Sequence, residues 1–161
     1  MTIRLVLGDQ LHIGHSWYQE RRENLVYVLM ELRSETDYVR HHIQKVIGFF
    51  LAMRHFAEAL ETAGHRVHYL RLDDPANRQS LEENLEWLLQ DYGATHFEYL
   101  LPDEWRVDEA LRAFCQKLAG ISCAVQDTEH FLADREAVGF FPGKLPFHRL
   151  AIRQKMFGIL Y

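Results

Sequence analysis

The sequence has few cysteines, no net positive charge and no long apolar run, and each absence argues against a class of protein. Its 161 residues include two cysteines, Cys115 and Cys123, without CxxC spacing, so neither a disulfide framework nor a zinc site is indicated, and we expect buried, reduced thiols. The formal charge of −5 argues against nucleic-acid binding by this segment alone. No apolar run reaches the roughly 18 residues of a membrane span, and the N-terminus lacks a signal-peptide pattern. We therefore expect a cytoplasmic protein with no membrane partner.

The phosphate-binding glycine motifs are also missing. There is no G-x-G-x-x-G and no G-x-x-x-x-G-K-[ST], so the loops of dinucleotide-binding and P-loop folds are absent. What is present is 48% apolar content, which suits one domain with a sizeable core.

Apolar strand patterns alternate with amphipathic helix patterns along most of the chain. Three helices are predicted near 39–63, 81–92 and 107–118, between strands at 3–7, 25–30, 66–70, 95–101 and 121–125. Glycines close the three helices, and Ser80 with Glu83 forms a capping box. In the first helix, apolar residues recur at steps of three and four and predict one face packed on a sheet: Ile43, Val46, Ile47, Phe50, Met53, Ala57 and Leu60.

This alternation requires parallel strands with right-handed crossovers and helices on both faces. The predicted fold is α/β, a Rossmann-like three-layer sandwich whose five-stranded parallel sheet has the order 3-2-1-4-5. It occupies residues 1–126. After it, residues 127–161 are predicted to form an irregular linker and a basic C-terminal helix.

In such a sheet, ligands bind beyond the carboxyl ends of the strands, where the strand order reverses. The loops at 8–10, 30–38 and 102–106 should line one crevice there. Gly8 would let a ligand approach the backbone closely, while Asp9 and Gln10 offer an acceptor and an amide. The structural alternative for Asp9 is that it only satisfies amides of its own loop.

Several short strings resemble a known family. They are LVLGDQL at 5–11, MELRSETDYVRHH at 30–42, AMRHFAE at 52–58, GHRVHY at 64–69 and EWRV at 104–107. Together they resemble the N-terminal domain of the deoxyribodipyrimidine photolyase-related proteins, the branch of iron–sulfur bacterial cryptochromes and (6-4) photolyases. The likeness covers about residues 3–157, in order and without large gaps.

The resemblance implies a two-domain flavoprotein whose second, helical domain holds FAD, a 4Fe-4S cluster and the DNA-binding face. That domain is absent here, and two cysteines fall short of the about four thiolates that a cluster needs. Residues 127–161 would lead towards it. The implied partner is this missing flavin domain, with DNA reached only through it, and no catalytic residue is expected in the chain alone.

In this branch the first domain resembles a holder for a light-harvesting antenna such as 6,7-dimethyl-8-ribityllumazine. Met30 and Tyr38 would wall the flat ring, and Glu35, Asp9 and Gln10 would hydrogen-bond it. Met30 stands where some relatives carry a cysteine, so the identity of the antenna stays open. By position, the resemblance implies these cofactor contacts: Gly8, Asp9, Gln10, Met30, Glu31, Glu35 and Tyr38.

Other interpretations of the polar residues are weaker. His41 and His42 cannot ligate one metal from one helix face, because successive residues point about 100° apart, so no metal site is expected. Glu35 and Asp37 lack a nucleophile for hydrolysis. Trp105 either clamps a ligand, begins a helix with its ring in the core, or meets the missing domain. Two alternative functions remain, a stand-alone nucleotide or small-molecule enzyme and a structural interaction domain.

Overall fold

The structure is a computed structural model and describes residues 1–33 and 42–129. Its five strands are β1 (Thr2–Leu5), β2 (Leu25–Met30), β3 (Val67–Leu70), β4 (His96–Leu100) and β5 (Ser122–Gln126). Its helices are α1 (Ile43–Thr62), α2 (Leu81–Asp91) and α3 (Trp105–Lys117), and a short 3-10 helix spans Ser16–Tyr18.

The strands form one parallel sheet in the order β3-β2-β1-β4-β5, which confirms the predicted topology. Strand β1 is central, and Ile3 lies opposite Val26 on one side and Phe97 on the other. Since β1 pairs with both β2 and β4, the loops that follow these three strands leave the sheet at the same edge.

Apolar residues cover both faces of the sheet, as a three-layer sandwich requires. One core cluster packs Leu85 and Leu88 of α2 and Phe114 of α3 against the sheet. The other cluster packs Phe56 and Leu60 of α1 against the opposite face. Strand β2 is buried on both faces along its whole length, which explains its continuous apolar run.

The helix ends confirm most of the predicted signals. Ser80 caps α2 by accepting from the Glu83 amide, and Gly64 and Gly93 follow α1 and α2 with positive φ angles of 87° and 55°. His42 caps α1 through its side chain, accepting from the Gln44 amide. Helix α3 ends at Lys117, one residue before the predicted end at 118, and Gly120 follows it with a positive φ angle of 80°.

The predicted apolar face of α1 is wrong over its first two turns. The helix begins at Ile43 and not near 39, and Ile43 and Ile47 are 64% and 51% exposed. A helix of 20 residues is about 30 Å long, whereas six residues of β2 span about 20 Å. Only the second half of α1 therefore lies over the sheet.

The expectation of buried thiols is wrong for Cys123. Both cysteines are free, but Cys115 is half-buried and Cys123 is exposed. The reason is that Cys123 lies on β5, an edge strand on which all five residues are exposed.

Contacts within the chain divide it into units Met1–Thr128 and Glu129–Tyr161. The predicted linker and basic helix at 127–161 lie almost entirely outside the described residues and stay a prediction. Among the helices of the described part, none has both the length and the apolar character to cross a membrane.

Candidate functional site

The candidate site is the carboxyl edge of the sheet around the end of β1. The loop with Gly8, Asp9 and Gln10 follows β1, Glu31 follows β2, and Leu101 follows β4. In open α/β sheets this switch point, where the order of strands reverses, is where ligands bind. The fold thus brings together the loop ends that the sequence assigned to one crevice.

Gln10 joins the loops after β1 and β4 and is itself nearly inaccessible, at 3% exposure. Its amide nitrogen donates to the carbonyls of Leu100 at 3.2 Å and Leu101 at 3.4 Å. Its amide oxygen accepts from the backbone N–H of Leu7 at 3.2 Å. Gln10 therefore ties the two loops together, and its polar atoms are already engaged within the protein.

Gly8 permits a close approach, but the group that approaches is a side chain of α1. A Cβ at this position would lie 2.3 Å from Phe49 Cζ and 2.9 Å from Met53 Sδ, which is far inside van der Waals contact. The half-buried Phe49 ring therefore lies directly on the Gly8 backbone and forms an aromatic wall at the end of β1. The sequence analysis did not single out Phe49.

Glu31 is fully buried and holds β2, β3 and α1 together. Arg54 contacts its carboxylate through Nε at 2.6 Å and Nη2 at 2.9 Å. The Tyr69 hydroxyl donates to it at 2.7 Å, and the Leu72 amide does so at 2.8 Å. Burial alone would raise the pKa of Glu31, but hydrogen bonds from these three residues outweigh it, so the pKa is lowered. The carboxylate is ionised and fully occupied by the protein.

The other predicted contacts differ in their surroundings. Met30 is 4% exposed and lies in the core beneath α2, where the Asn84 amide approaches its sulfur to 3.6 Å. Asp9 is exposed. Glu35 and Tyr38 lie outside the described residues. Of the five predicted contacts in the described part, Asp9 is thus the exposed side chain at this edge.

Trp105 does not enter the core. It is the first residue of α3 and is 68% exposed, so the core interpretation is wrong. Its neighbours Glu104 and Arg106 form an exposed ion pair at 2.8 Å. The alternatives of a ligand clamp and of a contact to another domain stay predictions.

Arg54 and Tyr69 are functional-site supports that the sequence analysis missed. Arg54 interrupts the apolar stripe of α1, and a cation at such a position can indicate a buried acidic partner. Nothing in the sequence points to Tyr69 as a partner of Glu31, since the two meet only because β2 and β3 pair.

A polar cavity lies away from this edge, on the face of the sheet that carries α1. Its volume is about 260 Å³. Its two arginines already have acidic partners, since Arg4 contacts Glu98 at 2.7 Å and Arg22 contacts Glu20 at 2.9 Å. The cavity is lined by Arg4, Ser16, Trp17, Gln19, Glu20, Arg22 and Gln126.

Comparison with known proteins identifies the family. The model of the family described as deoxyribodipyrimidine photo-lyase-related protein matches residues 4–148. The chain belongs to this family. The photolyase-related chain is also 34% identical over 131 residues to a protein named (6-4) photolyase from Agrobacterium fabrum (strain C58 / ATCC 33970). That match covers 80% of the chain and 25% of the relative, so the photolyase-related chain spans about a quarter of this relative's length.

Proposed function

We propose that this chain is an antenna-binding domain of a photolyase-related flavoprotein and takes a lumazine-type ring such as 6,7-dimethyl-8-ribityllumazine. The observation that supports this most is the order of the sheet, which puts the loops after β1 and β4 at a switch point beside an aromatic wall. Membership of the photolyase-related family adds to the support.

The crevice fits a flat ring in part. Phe49 offers an apolar surface for stacking, while Gln10 and Glu31 keep their polar atoms for the protein itself. In the proposal, the exposed Asp9 together with Glu35 and Tyr38 makes the hydrogen bonds to the ligand, whereas Gly8, Gln10, Met30 and Glu31 shape the crevice from behind. The Phe49 ring has to share the space next to Gly8 with the ligand.

The bound antenna would absorb light and pass its excitation to a flavin. FAD, a 4Fe-4S cluster and the contacts to DNA belong, in this proposal, to a further flavin domain of a longer protein, in the cytoplasm. The chain alone then performs no repair, because none of its described residues is set up to donate an electron to a lesion.

A binding titration of the 161-residue chain tests the proposal. Adding the chain to 6,7-dimethyl-8-ribityllumazine should give a saturable rise in fluorescence anisotropy. Asp9→Ala should weaken binding about tenfold, which corresponds to one hydrogen bond to a charged group. Asp91→Ala is the matched control, because Asp91 is an equally exposed carboxylate at the end of α2, near the opposite edge of the sheet.

Two outcomes would contradict the proposal. A chain that is folded by circular dichroism but shows no saturable binding of the lumazine is not an antenna holder. Equal affinities of D9A and D91A would remove Asp9 from the site. Turnover of a nucleotide that D9A abolishes would favour the stand-alone enzyme instead.

A further inference from the structure

Cys115 and Cys123 come together although no disulfide or metal motif links them in the sequence. Cys115 lies in the last turn of α3, and Cys123 is the second of the five residues of β5. Strand pairing puts Cys123 beside Phe97 of β4, and Phe97 belongs to the core cluster under α2 and α3. Because paired residues of neighbouring strands point to the same face, Cys123 points towards α3.

Cys115 reaches the same layer from the helix. It packs against the core cluster that contains Phe97 and Phe114, and the Cys123 thiol lies near enough to influence the pKa of the Cys115 thiol. Two thiols that face each other within one layer meet the first condition for a disulfide, whose S–S bond is about 2.05 Å long. Strand β5 lies at the edge of the sheet, so a small shift of this strand can bring the two sulfurs together.

The two thiols differ in access. Cys123 is exposed, whereas Cys115 is half-buried. Burial, with the contact to Cys123, raises the pKa of the Cys115 thiol to about 12. Since the thiolate is the nucleophile, Cys115 stays protonated and inert towards reagents in solution at neutral pH. The exposed Cys123 is the thiol that meets them first.

We propose that Cys115 and Cys123 are an oxidisable pair that forms a reversible disulfide with a low-molecular-weight disulfide as the oxidant. The Cys123 thiolate attacks one sulfur of glutathione disulfide, the S–S bond of the reagent breaks, and one glutathione thiolate leaves. Cys115 loses its proton and attacks Cys123 Sγ in the mixed disulfide, which expels the second glutathione. The protein loses two electrons and two protons, and glutathione disulfide gains them as two thiols. The new bond ties the edge strand to the end of α3.

This inference is independent of the proposed antenna. Its test is to incubate the 161-residue chain with glutathione disulfide under native conditions, quench with iodoacetamide, and measure mass. The wild-type chain should lose two hydrogens and both reactive thiols, carry no glutathione, and regain both thiols in dithiothreitol. Cys115→Ser should instead keep one glutathione on Cys123, because the resolving thiol is gone. Cys123→Ser should stay unmodified.

Other outcomes overturn the proposal. A wild-type chain that ends with glutathione on Cys123 and a free Cys115, or that is unchanged, shows that the pair does not close. Modification of Cys115 in C123S would show that Cys123 is not the entry point. If Cys115→Ser fails to fold, Cys115→Ala takes its place, and the wild-type mass measurement decides the proposal without either variant.

Discussion

At the scale of single residues, the distinction between a ligand contact and a structural support depends on partners far away in the chain. Glu31 was predicted as a cofactor contact from its position after β2, and the structure surrounds it with Arg54, Tyr69 and the amide of Leu72. Gln10 is similarly engaged by Leu100. A single sequence displays residue types and their positions but not which of them already satisfy each other, so the sequence predicted which loops lie at one edge of the sheet but not which of their side chains the protein itself already engages.

Glu31→Gln should lower the free energy of unfolding by about 3 kcal/mol at pH 7. This is the low end for breaking a buried ion pair, since Arg54 keeps 38% of its side chain exposed and stays partly hydrated. Urea unfolding of wild type and E31Q measures this loss of free energy. Glu58→Gln, on the same helix but 70% exposed, should change stability by less than about 0.5 kcal/mol, and an equal loss in both variants would contradict this role for Glu31.

The lowered pKa of Glu31 also sets the sign of a pH dependence. The folded state holds this carboxylate ionised more strongly than the unfolded chain does, so its contribution is complete above the ordinary value of 4.5 and is lost as the pH falls below it. The stability difference between wild type and E31Q should therefore shrink when urea unfolding is repeated in increasingly acidic buffer. A stability difference that grows in acid would contradict the lowered pKa of Glu31.

At the scale of elements, the end signals were predictable and the contacts of a long helix were not. The cap at Ser80 and the glycines at 64 and 93 act through local hydrogen bonds and backbone angles, which neighbouring residues determine. The exposure of Ile43 and Ile47 depends instead on how far α1 extends past the sheet. Periodicity identifies a helix face but does not tell how much of it another layer covers.

The two halves of α1 should therefore respond differently to the same substitution. Leu60→Ala removes a side chain with 0% exposure and should cost about 3 kcal/mol through lost burial and a cavity. Ile47→Ala removes an apolar side chain of similar size that is 51% exposed, and alanine is the better helix former, so stability should stay within about 0.5 kcal/mol. Thermal and urea unfolding of both variants measure this, and a large loss for I47A would mean that the first half of the helix is covered.

At the scale of the whole molecule, the strand order was predictable because few topologies satisfy the alternation of strands and helices. Parallel pairing, crossovers and a central first strand left little choice once five strands and three helices were identified. The exposure of β5 follows from its place at the edge of the sheet, where it has a neighbouring strand on one side only. Its exposed position is also what makes Cys123 accessible.

The domain limit predicted near residue 126 can be tested by truncation. Together, the two core clusters, as far as the described residues define them, draw on β1 to β4 and on the three helices. The last contacts before the limit are the His15 Nε2–H donating to the Asp127 carbonyl at 2.9 Å and the buried Thr128. A chain that ends after Glu129 keeps all of these, so it should unfold in one cooperative urea transition. A chain that ends after Leu118 loses β5 and with it the bond from the Leu101 amide to the Gln126 carbonyl, which leaves the edge of β4 unpaired, and it should lose cooperativity. If both truncated chains fail to unfold cooperatively, the domain extends beyond residue 129.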